Sequence, residues 1–373
     1  MALMVICFAE AGSRVAATGG PYAYVEVALG PFAGFLSGAL LLLTDLASAA
    51  AVSTVFAGSA VRLAGTTSSL LQAVVVVVVL GVVSAINVAG VHKGAKLSEW
   101  AVIAKLVPLV AFVALGAAFV HPQNWAWTAT PRASNVFNTA GLVVLAFLGI
   151  EGGLQPSGEV RNPARTVPIA AILALGAATG LYLAVQLIAQ GLLGSDLPAD
   201  RVAPLGAAAA SFAGSAGRMV MLAAATVSTF GFLTGSLLGG PRLLFALGRD
   251  GFGPRQLASV HRVYHTPHVA IAVYACITLL LALSGTFEQL AILANVSALL
   301  LYIACAIAAS VLRRRDVRTD GEPFRAPGGA LVPTLACVAI VWVLLETVTQ
   351  REFLAVGLVL LIATIVYIVR ETS

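Results

Sequence analysis

AFLGIEGGLQPSGEVRNP, Ala146 to Pro163, stands where the surrounding hydropathy asks for a membrane helix. It places Glu151, Pro156 and four glycines in that position. Gly149, Gly152, Gly153 and Pro156 make a continuous helix costly, about 1 kcal/mol per glycine and ~3 for proline relative to alanine. Unwound backbone facing lipid leaves polar groups without partners, whereas unwound backbone lining a polar cavity is tolerated. A Gly-rich face for close helix packing is the plainer alternative. Proline and glutamate beside the glycines favour a break. The N–H and C=O groups freed at Ala146, Phe147, Leu148, Gly149 and Ile150 are then expected ligands for a small polar substrate.

The rest of the chain supplies the membrane context. It has 373 residues, 60% hydrophobic and 10% charged, with a mean hydropathy of +0.98. A soluble domain carries about 25% charged residues, so this composition cannot cover a water-facing surface. An all-α polytopic membrane protein follows. A span needs about 20 apolar residues. Ten segments qualify: 31–59, 70–90, 98–120, 136–158, 167–193, 217–247, 267–284, 287–312, 329–348 and 352–370. Connections are short, and the chain reads as a single transmembrane domain over 1–373. Cys7, Cys276, Cys305 and Cys337 each lie alone in apolar stretches, which suits packing rather than disulfides or a metal.

Lys and Arg alternate between the loops. One set of ends holds 14, including Arg14, Lys93, Arg161, Arg249, Arg313, Arg314 and Arg370, and the other holds 5. The richer side is cytoplasmic by the positive-inside rule, which places the C-terminus there. Trp125 and Trp127 suit an outer interface belt and Trp100 an inner one. The start departs from the pattern. MALMVICFAEAGSRV offers about a dozen residues before Ser13 and Arg14, ~18 Å against a hydrocarbon core of ~30 Å. With no basic n-region it is not a signal peptide. It reads as the second half of a span, and an N-terminally incomplete sequence is expected.

Four motifs then fall in order, the first of them in two parts. GGPYAYV runs from Gly19 to Val25, and PFAGF opens a helix at Pro31. KLSEWAVIAKLVPLVAFVALG carries Lys105 inside a span. The opening stretch ends in GEVRNPARTVP, and PRLLFALGRDGFGP runs from Pro241 to Pro254. Together they resemble the amino acid–polyamine–organocation (APC) superfamily of secondary transporters over nearly the whole chain. The resemblance implies two inverted five-helix repeats plus two C-terminal helices. Residues 1–120 would be the remainder of the first repeat, 136–312 the second, and 329–370 the extra pair. The first and sixth helices of that fold are broken at the midplane around the substrate. The stretch 146–150 corresponds to the sixth, and the first has no counterpart here. The implied function is secondary active transport of amino acids or related amines across the cell membrane, proton-coupled or by exchange. The alternative is an inactive, membrane-embedded remnant. Without the first helix the chain is expected not to transport.

Individual residues carry paired readings. A carboxyl desolvated at midplane depth favours its protonated form, so Glu151 is expected to exchange a proton near neutral pH. A static acceptor tying the broken helix to a neighbour is the equal alternative. Lys105 sits about 10 Å from the cytoplasmic edge, where it can snorkel. The resemblance implies instead that it replaces a structural sodium ion, with Ser228 of TVSTFGF as the hydroxyl near it. Asp45, in LLLTDLASAAAV, faces the substrate pathway by the same resemblance, with a buried partner or water as the plainer reading. Leu145 stands where some members place an aromatic gate. Glu288 reads as interfacial, and RRRD at 313–316 as a topology signal touching lipid headgroups. Nucleophile elbows, HExxH and paired intramembrane aspartates are absent from the sequence. An enzyme, a cofactor, a metal and nucleic-acid binding are therefore not expected. The partners expected are an amino acid, protons and membrane lipid.

Overall fold

The computed structural model describes the backbone except at 16, 18, 127–135, 137–138, 140–142, 145, 155–159, 201–202, 319–320, 349 and 372–373. Side chains are not described at 91–99, 101–102, 347 and 351. Among the described residues there are twelve α-helices and no strand. They are α1 (Ala2–Arg14), α2 (Pro21–Leu29), α3 (Pro31–Leu63), α4 (Ser69–Val88), α5 (Val91–Gly116), α6 (Ile150–Gly153), α7 (Pro163–Leu193), α8 (Pro204–Arg249), α9 (His268–Ser284), α10 (Phe287–Arg314), α11 (Leu331–Thr347) and α12 (Gln350–Glu371). Six of them, α3, α4, α7, α8, α10 and α12, contain stretches long and apolar enough to cross a membrane. The apolar parts of α5, α9 and α11 are shorter, 17 residues or fewer. Nine of the ten expected spans therefore have a helix. The tenth, 136–158, is described only in part: ten of its 23 residues lie outside the described ones, and the described remainder is interrupted at 146–149.

Local chemistry places the ends. Gly20 adopts φ 59° and Pro21 takes the first position of α2, where its missing N–H would be unpaired anyway. Gly30, at φ 97°, stops α2, and Pro31 immediately starts α3. The Ser68 hydroxyl accepts the Leu71 N–H at 3.3 Å and caps α4. Within α8, Gly214 at φ 59° and ψ −151° separates a short leading helix from the expected span 217–247.

Contacts group the described residues into two compact units. The first comprises Met1–Ala47, Pro131–Ala178 and Ala291–Ser373; the second comprises Ser48–Thr130 and Thr179–Leu290. In the first, α1 packs on α2 and α11, and ten of its thirteen residues are buried. The ring of Phe8 meets Tyr302 edge-on at 5.1 Å. In the second, α5 lies along α8, and α9 packs on α4 and α8. Its core includes Phe112, Ala189, Leu192, Ala208, Ala209 and Met221. Lipid-facing surface is plain on α12, where Leu354, Leu358, Leu361 and Ile365 are all exposed. Of the cysteines, Cys7 and Cys305 are buried as expected for packing, whereas Cys276 is exposed.

Candidate functional site

The stretch that opened the sequence reading is not helical where its glycines begin. Ala146, Phe147, Leu148 and Gly149 form a turn. The N–H groups of Ala146 and Phe147 reach back three residues, to the carbonyls of Val143 and Val144, both at 3.0 Å. Gly149 sits at φ 106°, and only from Ile150 does a single helical turn, α6, resume. A residue with a β-carbon is strained in that conformation. Ala146 and Gly149 are exposed, while Phe147, Leu148 and Ile150 are half-buried.

Glu151 closes this turn from within. It is 2% exposed. One carboxylate oxygen, Oε1, accepts the Gly149 N–H at 3.1 Å. The other, Oε2, accepts the Tyr302 hydroxyl at 2.6 Å. Tyr302 is fully buried on α10, so the carboxyl ties the broken segment to that helix. These contacts are compatible with both readings of Glu151, the anchor and the proton-exchanging group. Asp45, half-buried on α3, lies within electrostatic reach of both Glu151 and Tyr302. Asp45, the 146–150 turn and Glu151 all belong to the first unit.

Lys105 and Ser228 belong to the second unit. They stand on α5 and α8, which pack together, and both are half-buried. Among the described residues no hydrogen bond joins them, and Lys105 makes no ion pair. Three residues on, Pro108 lies inside α5. It has no N–H to give the carbonyl of Ala104, which loosens the helix beside the lysine. Leu145, the position of the aromatic gate, lies outside the described residues. Among the described residues no group of His, Cys, Asp and Glu is placed to hold a metal.

Sequence reading missed three residues of the first unit. Tyr302 was silent as one aromatic among many, although a hydroxyl in LLLYIACAIAAS needs a partner. Glu10 and Arg313 were read only as the interior of a short helix and a topology charge. Glu10 is 1% exposed. It accepts Arg313 Nε at 2.6 Å and also pairs with Arg313 Nη2. Arg14 Nη2 reaches it at 3.1 Å, and the Ala326 N–H at 3.2 Å. Arg14, expected as a loop charge, is itself 1% exposed. The available signal was the Glu10–Arg14 spacing, which puts both charges on one helix face.

Comparison with known proteins agrees with this architecture. A profile described as "Amino acid permease" matches residues 1–369. The chain is 27% identical to the branched-chain amino acid permease BcaP of Bacillus subtilis, over 95% of this chain and 81% of that protein. It is 27% identical to the methylthioribose transporter of the same organism, with the same coverage. The serine/threonine exchanger SteT, also of Bacillus subtilis, is 26% identical over 96% of this chain and 82% of its own length.

Proposed function

Because this chain belongs to the amino acid permease family, we propose that it carries amino acids or related amines across the cell membrane by secondary active transport, coupled to protons or by exchange. It is a multi-pass membrane protein, and a permease moves its cargo without transforming it. The observation that carries the reading is the turn at Ala146–Gly149, unwound backbone beside a buried carboxyl in a chain otherwise built of apolar helices. Backbone groups outside the helical pattern are suited to a ligand with both a carboxylate and an ammonium group. Glu151 is the proton-exchanging group in this reading, with Tyr302 holding its orientation. Lys105 and Ser228 serve as the coupling pair in place of a cation, and Asp45 lines the pathway. The excess of Lys and Arg on one set of loops supports a cytoplasmic C-terminus. The named relatives differ in cargo, so the class rather than one amino acid is proposed.

Uptake of a panel of labelled amino acids into proteoliposomes, at acidic and neutral external pH, tests this directly. Saturable uptake of at least one is the outcome of the transport reading, and no uptake by a folded, membrane-inserted chain is the outcome of the inactive alternative. Glu151→Gln, which keeps an acceptor for Gly149, is expected to flatten the pH dependence. Uptake by Glu151→Gln that follows pH as the parent does would remove Glu151 from coupling and leave it as an anchor.

A further inference from the structure

The segment from Arg313 to Ala326 contains five arginines and three carboxylates, and the structure treats them unequally. Both of its ends meet the same buried carboxylate. Arg313 pairs with Glu10 at one end, and the Ala326 N–H donates to Glu10 at the other. Arg313 Nη2 also donates to the Ala326 carbonyl at 3.3 Å, closing the segment on itself. Pro323 and Ala326 are buried while Arg325 between them is exposed. The backbone is thus held with certain side chains turned outward before any ligand arrives.

The two described carboxylates of the segment, Asp316 and Glu322, already face a guanidinium. Arg318 binds Asp316 at 2.7 Å and approaches Glu322 at 4.0 Å. Its guanidinium holds the Asp316 carboxyl below the usual range. Arg14 approaches Asp316 from the other side at 3.8 Å. Arg314, Arg315 and Arg325 are exposed, and among the described residues none of them makes an ion pair. The surface beside them is apolar. Leu331, Leu335 and Val338 are 60%, 44% and 60% exposed, and their spacing sets them on one stripe of α11, starting at its first residue. Arg314 and Arg315, with no carboxylate in ion-pair range among the described residues, and Arg325, which acts on Asp316 only from beyond that range, therefore stand where an exposed hydrophobic stripe begins. That is the depth at which phospholipid phosphates lie above acyl chains.

We propose that this segment is a docking surface for anionic phospholipid headgroups, gripped by Arg314, Arg315 and Arg325. Guanidinium forks pair with phosphate oxygens through two parallel hydrogen bonds. Zwitterionic headgroups bring their own cation and gain less from an uncompensated arginine cluster. Because Glu10 orders the segment in advance, little ordering cost remains when a lipid binds. The inference rests on membrane embedding and is independent of which amino acid is carried.

The test uses the full chain purified in detergent, with retention of phosphatidylglycerol against phosphatidylcholine read by native mass spectrometry. The parent is expected to retain phosphatidylglycerol preferentially. Each of Arg314→Gln, Arg315→Gln and Arg325→Gln is expected to lower that preference about fivefold. Replacing the same three by lysine keeps the charge but loses the two-bond fork, and should keep only part of it. Arg255→Gln with Arg262→Gln, exposed arginines of another loop, should leave it unchanged. A triple variant carrying all three glutamines should lower the preference further, and the single substitutions keep the test valid if that variant fails to fold. The proposal is overturned if the glutamine variants retain phosphatidylglycerol as the parent does, or if the control pair loses it equally. Displacement of the lipid by inorganic phosphate at matched concentration would assign the surface to a free anion and overturn it too.

Discussion

Glu10→Ala should be the most destabilising single substitution among the charged residues of the first unit. The carboxylate is 1% exposed and serves Arg14, Arg313 and the Ala326 N–H together. Removing it takes the 3.1 Å carboxylate partner from the Arg14 guanidinium, also 1% exposed, whose other contacts include the Val317 carbonyl at 3.3 Å and the half-exposed Asp316 at 3.8 Å. Breaking a buried pair by deleting one partner costs about 3–5 kcal/mol, because an uncompensated charge stays buried. Arg313 adds less, since its side chain is 23% exposed and water can replace part of what it loses. The loss should be read as the change in unfolding free energy in mixed micelles titrated with denaturing detergent. A double-mutant cycle sharpens it. In the Glu10→Ala background, Arg14→Met removes the stranded charge and should recover part of the loss, whereas alone it should destabilise. A Glu10→Ala variant within about 0.5 kcal/mol of the parent, or strict additivity of the two substitutions, would refute the argument that Glu10 is a buried hub.

Three further outcomes are expected. Gly149→Ala should destabilise the fold by roughly 1–2 kcal/mol and reduce uptake. Its φ is 106° and, among the described residues, nothing lies within 4 Å of an added β-carbon, so the expected cost is backbone strain; unchanged unfolding and uptake would contradict the turn. Lys105→Ala, in a chain that shows uptake, should abolish or strongly reduce it without loss from the membrane. Normal uptake with normal pH dependence would leave only snorkelling. Gly240→Ala should cost about 1–3 kcal/mol by overpacking, because a β-carbon there would come within 2.3 Å of the Tyr274 ring. That ring is fully buried, and its hydroxyl is tied to Ser236 at 2.9 Å. An unshifted melting temperature would show that the ring can move aside.

The fold class was written in one-dimensional features. Membrane helices are local objects: each satisfies its own backbone, so length and apolarity suffice to find them. Gly20–Pro21 and Gly30–Pro31 mark α2 and α3 for the same reason, since the constraints on φ and on the missing N–H act within a few residues. The break at Ala146–Gly149 was legible in part: Gly149 admits the positive φ that the turn needs, whereas Gly152 and Gly153 lie within α6. Tertiary structure alone decided what the buried polar groups do. Glu10 and Arg313 are 303 residues apart, and Glu151 and Tyr302 are 151 apart. No local periodicity carries pairings at that distance. Arg14 and Arg313 look like loop charges in a count of Lys and Arg, which records only the side of the membrane. Their pairing follows from desolvation: a guanidinium taken out of water, fully at Arg14 and in part at Arg313, needs a carboxylate. Which carboxylate it finds is set by how α1 and α10 pack.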